Sequence, residues 1–302
     1  MCGIAGYFDK TGNDSAAIGA VVLKMLEALG ARGPDSAGVA LYGGRAKGEM
    51  VLRIKVGENG SVAKNATRLV AEARKLGKVS KSATTAEYLR LALKYQGDPK
   101  ELERRLESVA AGVEIVSMGR RLEIVKQVGS PQNLDATYGI AKLTGTHGIG
   151  HTRLCTESKV DLSHSQPFWA HGCPDLAVVH NGHITNYHKL RRLYEQRGHK
   201  FYTENDSEVI GMYLADQMAR GLNFRQALEA SLKDLDGSFS YLAADGEHFG
   251  FAKDVFAFKP LLFTETDKFV AVATEEVALH AGLTGDYHVR EAQAGEVRVW
   301  ER

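Results

Sequence analysis

Short runs rich in β-branched and aromatic residues, each bounded by glycine, occupy both ends of this chain. GIAGYF at 3–8, SAGVALY at 36–42 and the MVLRIKV run within 49–56 predict strands. Beyond 145 the same texture returns in GIGHT, LAVVHN, SFSYLAA, FGFAKD, PLLFT, KFVAVAT and EVRVW. Ile18, Val21, Val22, Met25, Leu26 and Leu29 recur at helical spacing, with Gly30 as a stop signal, so a helix joins the first two strands. Two more helices are expected near 186–197 and 206–219. From about 58 to 145 the sequence turns charged and helix-favouring: VAKNATRLVAEARKLGK, TAEYLRLALKYQ and DPKELERRLESVAAG, then a hairpin over VEIVSMGRRLEIVKQV. The pattern predicts an α+β chain of two packed sheets flanked by helices. It reads as a single domain, 1–302, with a partly helical insertion at about 58–145 whose charge runs are solvated helix faces.

Composition narrows the partners. The chain has 302 residues, 44% of them apolar and 25% charged, enough for a sizeable core. Lys and Arg number 38 against 37 Asp and Glu, so no overall field attracts nucleic acid or an anionic membrane; a small, locally recognised ligand fits better. Three cysteines (Cys2, Cys155, Cys173) and no CxxC pair argue for a reducing compartment, and no leader or apolar span is evident, so a cytoplasmic location is expected. There is no Gly-rich phosphate cradle such as GxGxxG and no cysteine cluster for iron and sulfur.

Five fragments carry candidate chemistry. Cys2 stands directly behind the initiator methionine; removal of Met1 would give one residue both a thiol and a free α-amine, although a cysteine there can equally be a small buried hydrophobe. In LAVVHNGHITN, Asn181-Gly182 reads as a turn, or as an oxyanion hole in which the Asn amide and a backbone N–H converge. GIGHTRLCT offers Arg153, with Thr156 close behind, as a carboxylate fork or as half of a surface ion pair. In TENDSEVIGMYLADQM, Asn205 and Glu208 have N-cap and N3 spacing, and Asp206 would be stabilised at a helix N-terminus or hold a ligand ammonium. ARGPDSAGVALY is a Gly/Pro-broken loop, either a plain turn or a lid that swings Arg32 over a ligand. Seven histidines between 147 and 188 raise a metal site, but HGIGH falls on a predicted strand, with no acidic residue in a ligand pattern, so no metal is expected.

Taken in order, CGI.G, RGPDSAG, HTR..T, HNG.I.N and NDSEV resemble the class II glutamine amidotransferases, members of the N-terminal-nucleophile hydrolases. GSPQNLDATYGI, YTENDSEV, ASLKDLDGSF and FAKDVFAFKP are most similar to stand-alone amidotransferase subunits of glutamate-synthase-like and N-methylglutamate-synthase-like enzymes. Leu154-Cys155-Thr156-Glu157 departs from relatives that carry tryptophan after the arginine and a histidine near Glu157, which puts the walls of the carboxylate pocket in question.

The resemblance implies a four-layer αββα sandwich of two antiparallel sheets. It implies that Cys2, once exposed, attacks the glutamine carboxamide, that Asn181 and Gly182 hold the oxyanion, and that a γ-glutamyl thioester is hydrolysed to glutamate. Arg153 and Thr156 would take the substrate α-carboxylate, Asp206 its α-ammonium, and Arg32 would close over the site. The ammonia would pass to a separate flavin-dependent synthase subunit holding FMN, this chain having no cofactor of its own, so a hetero-oligomer is expected. Two rivals keep the fold: a catalytically silent subunit that senses an amino acid or acts as a scaffold, and an amidase for another γ-glutamyl compound.

Overall fold

In a computed structural model describing residues 2–43, 48–57, 61–155 and 159–302, every strand pairing is antiparallel. A seven-stranded sheet runs Arg290–Glu291, Leu262–Glu265, Phe269–Ala273, Gly3–Asp9, His147–Arg153, Ser36–Tyr42, Leu122–Val128. A five-stranded sheet runs Val297–Glu301, His248–Lys253, Gly237–Ala244, Ala177–Ile184, Phe168–Trp169. Ile4, Phe8, Ile149, Val179, Leu242 and Phe249 are packed between these two sheets. Val22, Met25 and Leu26 of helix Ile18–Ala28, with Leu279 of helix Glu276–Gly282, cover the outer face of the first sheet. Ile210, Tyr213 and Leu214 of helix Ser207–Ala219, with Leu228 of helix Phe224–Asp234, cover the outer face of the second. The result is helix, sheet, sheet, helix, the α+β sandwich of antiparallel sheets that the strand texture and the resemblance imply.

The segment at 58–145 differs from its expected form. A third sheet, Lys78–Thr85, Tyr88–Lys94, Met50–Lys55, Glu114–Gly119, begins before 58 and ends before 120. With helices Val62–Leu76 and Pro99–Glu107 it follows a β-α-β-β-α-β order with the first and third strands central, the split βαβ arrangement. TAEYLRLALKYQ is therefore strand rather than helix. Leu89, Leu91 and Leu93 alternate and are buried, a period of two that its helix-favouring composition conceals.

The expected hairpin over VEIVSMGRRLEIVKQV is no hairpin. Glu114–Gly119 pairs with Met50–Lys55, whereas Leu122–Val128 pairs with Ser36–Tyr42 in the seven-stranded sheet. The crossing is pinned by the Asp175 carboxylate, which accepts from the backbone N–H groups of Arg120, Arg121 and Leu122 at 3.1, 2.8 and 2.9 Å. Beyond 186 there are also more helices than the expected pair. Asn223 and Gln226 form a capping box that starts helix Phe224–Asp234, whose Phe224, Ala227 and Leu228 are buried.

The histidine-rich stretch is largely core. His147 stacks on Tyr42 with centroids 4.2 Å apart and shares a hydrogen bond with the Asp245 carbonyl at 2.7 Å. His151 lies within 3.2 Å of the His180 carbonyl. Among the described residues no group of three or more His, Cys, Asp or Glu side chains is placed to hold a metal ion, and no helix is long and apolar enough to cross a membrane.

Burial pushes the imidazoles of His147 and His151 down to about 3. The unfolded chain takes up protons on both as pH falls below their ordinary 6.5, and the folded chain does not. Stability is therefore fullest above that point and declines toward pH 3, each group contributing a slope of up to about 1.4 kcal/mol per pH unit. Urea midpoints should fall between pH 7 and pH 5, and His147→Phe should flatten that fall although it lowers the midpoint overall.

Candidate active site

Cys2 immediately precedes strand Gly3–Asp9, which lies inside the seven-stranded sheet between Phe269–Ala273 and His147–Arg153. The start of that strand is fastened on both sides. Ile4 N–H donates to Thr274 Oγ1 at 2.8 Å, and Thr274 N–H returns a bond to the Ile4 carbonyl at 3.0 Å. A Cβ on Gly3 would stand 2.8 Å from Thr152 Oγ1 and 2.9 Å from Leu29 Cβ, so only glycine lets the strand lie this close to its neighbours.

The Cys2 carbonyl accepts from Arg32 Nε at 3.1 Å and from Asn181 Nδ2 at 3.3 Å. Its thiol, half-buried, approaches the Leu154 carbonyl at 3.8 Å. Asn181 belongs to the other sheet, so this one carbonyl ties the two sheets together at the chain's start.

The Asn181-Gly182 pair is not a turn. Strand Ala177–Ile184 continues through it, with Asn181 opposite Ser240 and Gly182 opposite Phe239. Gly182 has φ +139°, and a Cβ there would fall 2.2 Å from the Ser238 carbonyl oxygen and 2.6 Å from Phe239 Cα. Neither the backbone angle nor the space admits a side chain.

Arg153 ends strand His147–Arg153 and is buried; its Nη1 donates to the Lys159 carbonyl at 3.0 Å. The loop from 31 to 35 clamps this end of the strand. Asp35 N–H donates to the Arg153 carbonyl at 3.0 Å, and the Asp35 carboxylate accepts from Cys155 N–H at 2.7 Å. Thr156 lies outside the described residues.

Arg32, expected as a lid, is placed against the main chain of Cys2. Its guanidinium is committed to the Cys2 carbonyl and to an ion pair with Glu275, and it is not among the residues lining the cavity described below. In this arrangement it fixes the main chain of Cys2.

Asp206, not Asn205, is the N-cap of helix Ser207–Ala219, and its side chain makes no capping bond to the helix N–H groups. The capping-box spacing misleads because the Glu208 carboxylate turns to Tyr202 N–H, Thr203 N–H and Thr203 Oγ1, at 2.8, 3.1 and 3.0 Å. Burial raises its pKa. The Asp206 carboxylate instead accepts from Ile184 N–H at 2.8 Å and has His183 Nδ1 at 3.6 Å.

Cys2, Arg153, Asn181, Gly182 and Asp206 line one cavity of about 440 Å³. Behind Asn181 lies a buried polar network that the sequence pattern did not reveal. The Gln166 amide brackets His180, its Oε1 accepting from His180 N–H at 2.7 Å and its Nε2 donating to the His180 carbonyl at 3.2 Å and to Ser207 Oγ at 3.1 Å. His180 Nδ1 meets the same hydroxyl at 2.8 Å. Burial lowers the His180 pKa, so the ring is held neutral. Lys259 also borders the cavity; it falls within FAKDVFAFKP, a stretch whose sequence suggested kinship but no role.

The arrangement sets a thiol beside an amide donor, with a guanidinium and a carboxylate in the same cavity. Such a set can bind a zwitterionic amino acid and offer its far end to sulfur.

Comparison with known proteins gives the family. A family model described as a glutamine amidotransferase domain matches residues 151–281. A chain from Methanothermobacter thermautotrophicus, whose name gives it provisionally as a glutamine amidotransferase, is 38% identical over all of both chains. The glutamine amidotransferase-like protein GlxB of Rhizobium meliloti is 35% identical over 100% of this chain and 95% of its own. The glutamine phosphoribosylpyrophosphate amidotransferase of B. subtilis superposes with a TM-score of 0.63 at 18% identity, over 99% of this chain and 47% of that one; the likeness is one of fold, and this chain spans about half of it. With identity sustained along its whole length, the chain belongs to the class II glutamine amidotransferases.

Proposed function

We propose that this chain hydrolyses the side-chain amide of glutamine with Cys2 as nucleophile and donates the ammonia to a separate synthase subunit. The observation that carries the reading is the convergence of Cys2, Asn181, Gly182, Arg153 and Asp206, from distant parts of the sequence, on one cavity of about 440 Å³.

With Met1 removed, the Cys2 α-amine, ordinarily titrating at about 7.7 to 8.0, accepts the thiol proton directly or through water. Sulfur adds to the carboxamide carbon of glutamine. The oxyanion is held by the Gly182 N–H and by the second hydrogen of the Asn181 amide, the first being spent on the Cys2 carbonyl. Collapse breaks the C–N bond, the proton passes to the leaving nitrogen, and ammonia departs from a γ-glutamyl thioester. Water cleaves the thioester to glutamate and restores the thiol.

Arg153 reads the substrate α-carboxylate and Asp206 its α-ammonium; leaving either protein charge without its partner costs several kcal/mol. Thr156 is proposed to assist Arg153. The acceptor is proposed to be an FMN-dependent subunit making glutamate or an N-substituted analogue, on the kinship of the FAKDVFAFKP and GSPQNLDATYGI stretches.

Cys2→Ala should lower ammonia release from glutamine at least about a thousandfold, and intact mass of the active protein should show Met1 absent; full activity with Met1 retained would refute the mechanism. Asn181→Ala should cost about a hundredfold or more in kcat with little change in KM. Asp206→Asn should raise KM for glutamine by about tenfold or more while narrowing the preference for glutamine over glutaramate, which lacks the α-ammonium; an unchanged preference ratio would remove Asp206 from that role. Copurification at native expression should return a flavin-bearing synthase, and its absence would dismiss the subunit assignment while leaving the glutaminase reading intact.

A further inference from the structure

The third sheet ends in an edge strand that nothing in the described chain covers. Of strand Lys78–Thr85 only Val79 is even partly buried. The two-residue turn Ala86–Glu87 closes its hairpin on the pair Thr85↔Tyr88. In an antiparallel ladder the inward hydrogen bonds fall on alternate residues, so Ser82 and Thr84 turn their N–H and C=O groups outward.

A groove of about 730 Å³ runs between this strand and helix Val62–Leu76. Val62, Ala66, Val70 and Ala83 give it an apolar lining, and Ser82 and Thr84 border it. It shares no lining residue with the glutamine cavity.

Charge is distributed unevenly here. Between 62 and 94 the sequence places eight lysines and arginines against Glu72 and Glu87, an excess that the remainder of the chain offsets with acidic residues. Glu72 is spent on Lys75 and Arg105, and Arg90 on Glu123. Lys64, Arg68, Arg74, Lys78, Lys81 and Lys94 form no ion pair with a described residue.

We propose that this edge and groove take an extended, acidic segment of another polypeptide as a fifth strand, its apolar side chains in the groove and its carboxylates against the lysines and arginines. The open N–H and C=O groups supply affinity, and the groove and the charges supply selectivity. Lysines on an edge strand discourage pairing with a like-charged edge, so they disfavour a second copy of this chain, which would bring the same cations face to face. The bulge between Val79 and Lys81 leaves Lys81–Thr85 in regular register for pairing. Nucleic acid is the weaker fit, because no aromatic side chain lines the groove to stack a base.

The test uses the full chain and a fluorescein-labelled peptide of alternating valine and glutamate, about as long as the edge strand, beside a valine–lysine peptide and a single-stranded oligouridylate. Anisotropy should show saturable binding of the acidic peptide at least about tenfold tighter than that of the lysine peptide or the RNA, weakening as salt rises from about 0.05 to 0.3 M. Thr84→Pro, which deletes an outward N–H without touching the inward ladder, and the double variant Arg74→Glu with Lys81→Glu, at the groove and on the edge strand, should each reduce affinity by about tenfold or more while circular dichroism and glutaminase activity stay unchanged. Equal binding of the acidic and lysine peptides, preferential binding of the RNA, undiminished binding by a folded Thr84→Pro protein, or sedimentation showing self-association lost in that variant would each overturn the proposal. None of these outcomes bears on the glutamine site, which is read separately from ammonia release.

Discussion

One carbonyl oxygen carries much of the organisation of this protein. The Cys2 main chain is gripped from the seven-stranded side by Arg32 and from the five-stranded side by Asn181. A chain terminus is ordinarily the loosest part of a fold. Here it enters between two strands, and the bonds to Thr274 and Arg32 hold it there. The nucleophile proposed at Cys2 must be positioned within a few tenths of an ångström to be useful, and these contacts spend backbone groups rather than the thiol on that task.

The same economy applies to the side proposed to hold the oxyanion. Asn181 lies in mid-strand, held by pairing with Ser240, and the residue before it is bracketed by the Gln166 amide and Ser207. Burial keeps His180 and His151 neutral, so this network positions groups without adding charge beside the thiol. Ser207 opens the helix that Asp206 caps, so the network also links the strand of Asn181 to the carboxylate proposed for the substrate ammonium.

The split βαβ unit shares the core but not the cavity. Its Leu52, Ile54 and Leu91 pack continuously with Ile4 and Phe8 of the main sandwich, so its inner surface is part of the same hydrophobic body. Its far edge is exposed along nearly its whole length, and that strand and helix Val62–Leu76 beside it carry cations that the rest of the sequence balances. A single folded body thus keeps the cavity proposed for the chemistry apart from the edge proposed to hold another chain.

The sequence by itself determined the longer sandwich strands, though not the two-residue strands Phe168–Trp169 and Arg290–Glu291, together with the helices at Ile18–Ala28, Tyr187–Gln196 and Ser207–Ala219 and the fragments that hold Cys2, Arg153, Asn181 and Asp206, because these follow from local periodicity and from residue types that only certain chemistry needs. Strand Tyr88–Lys94 was hidden because leucine, alanine and lysine favour helix, and only burial of alternate leucines in a sheet overrides that preference. The path at Arg120–Arg121, the commitment of Arg32 to Cys2 and the turning of Glu208 away from a capping box depend on Asp175, Glu275 and Thr203. Asp175 and Glu275 are remote in the chain and signalled by no pattern; Thr203 lies near but outside the capping-box spacing. Local sequence set what each segment prefers, and long-range pairing of strands and buried polar groups decided which side chains face the cavity.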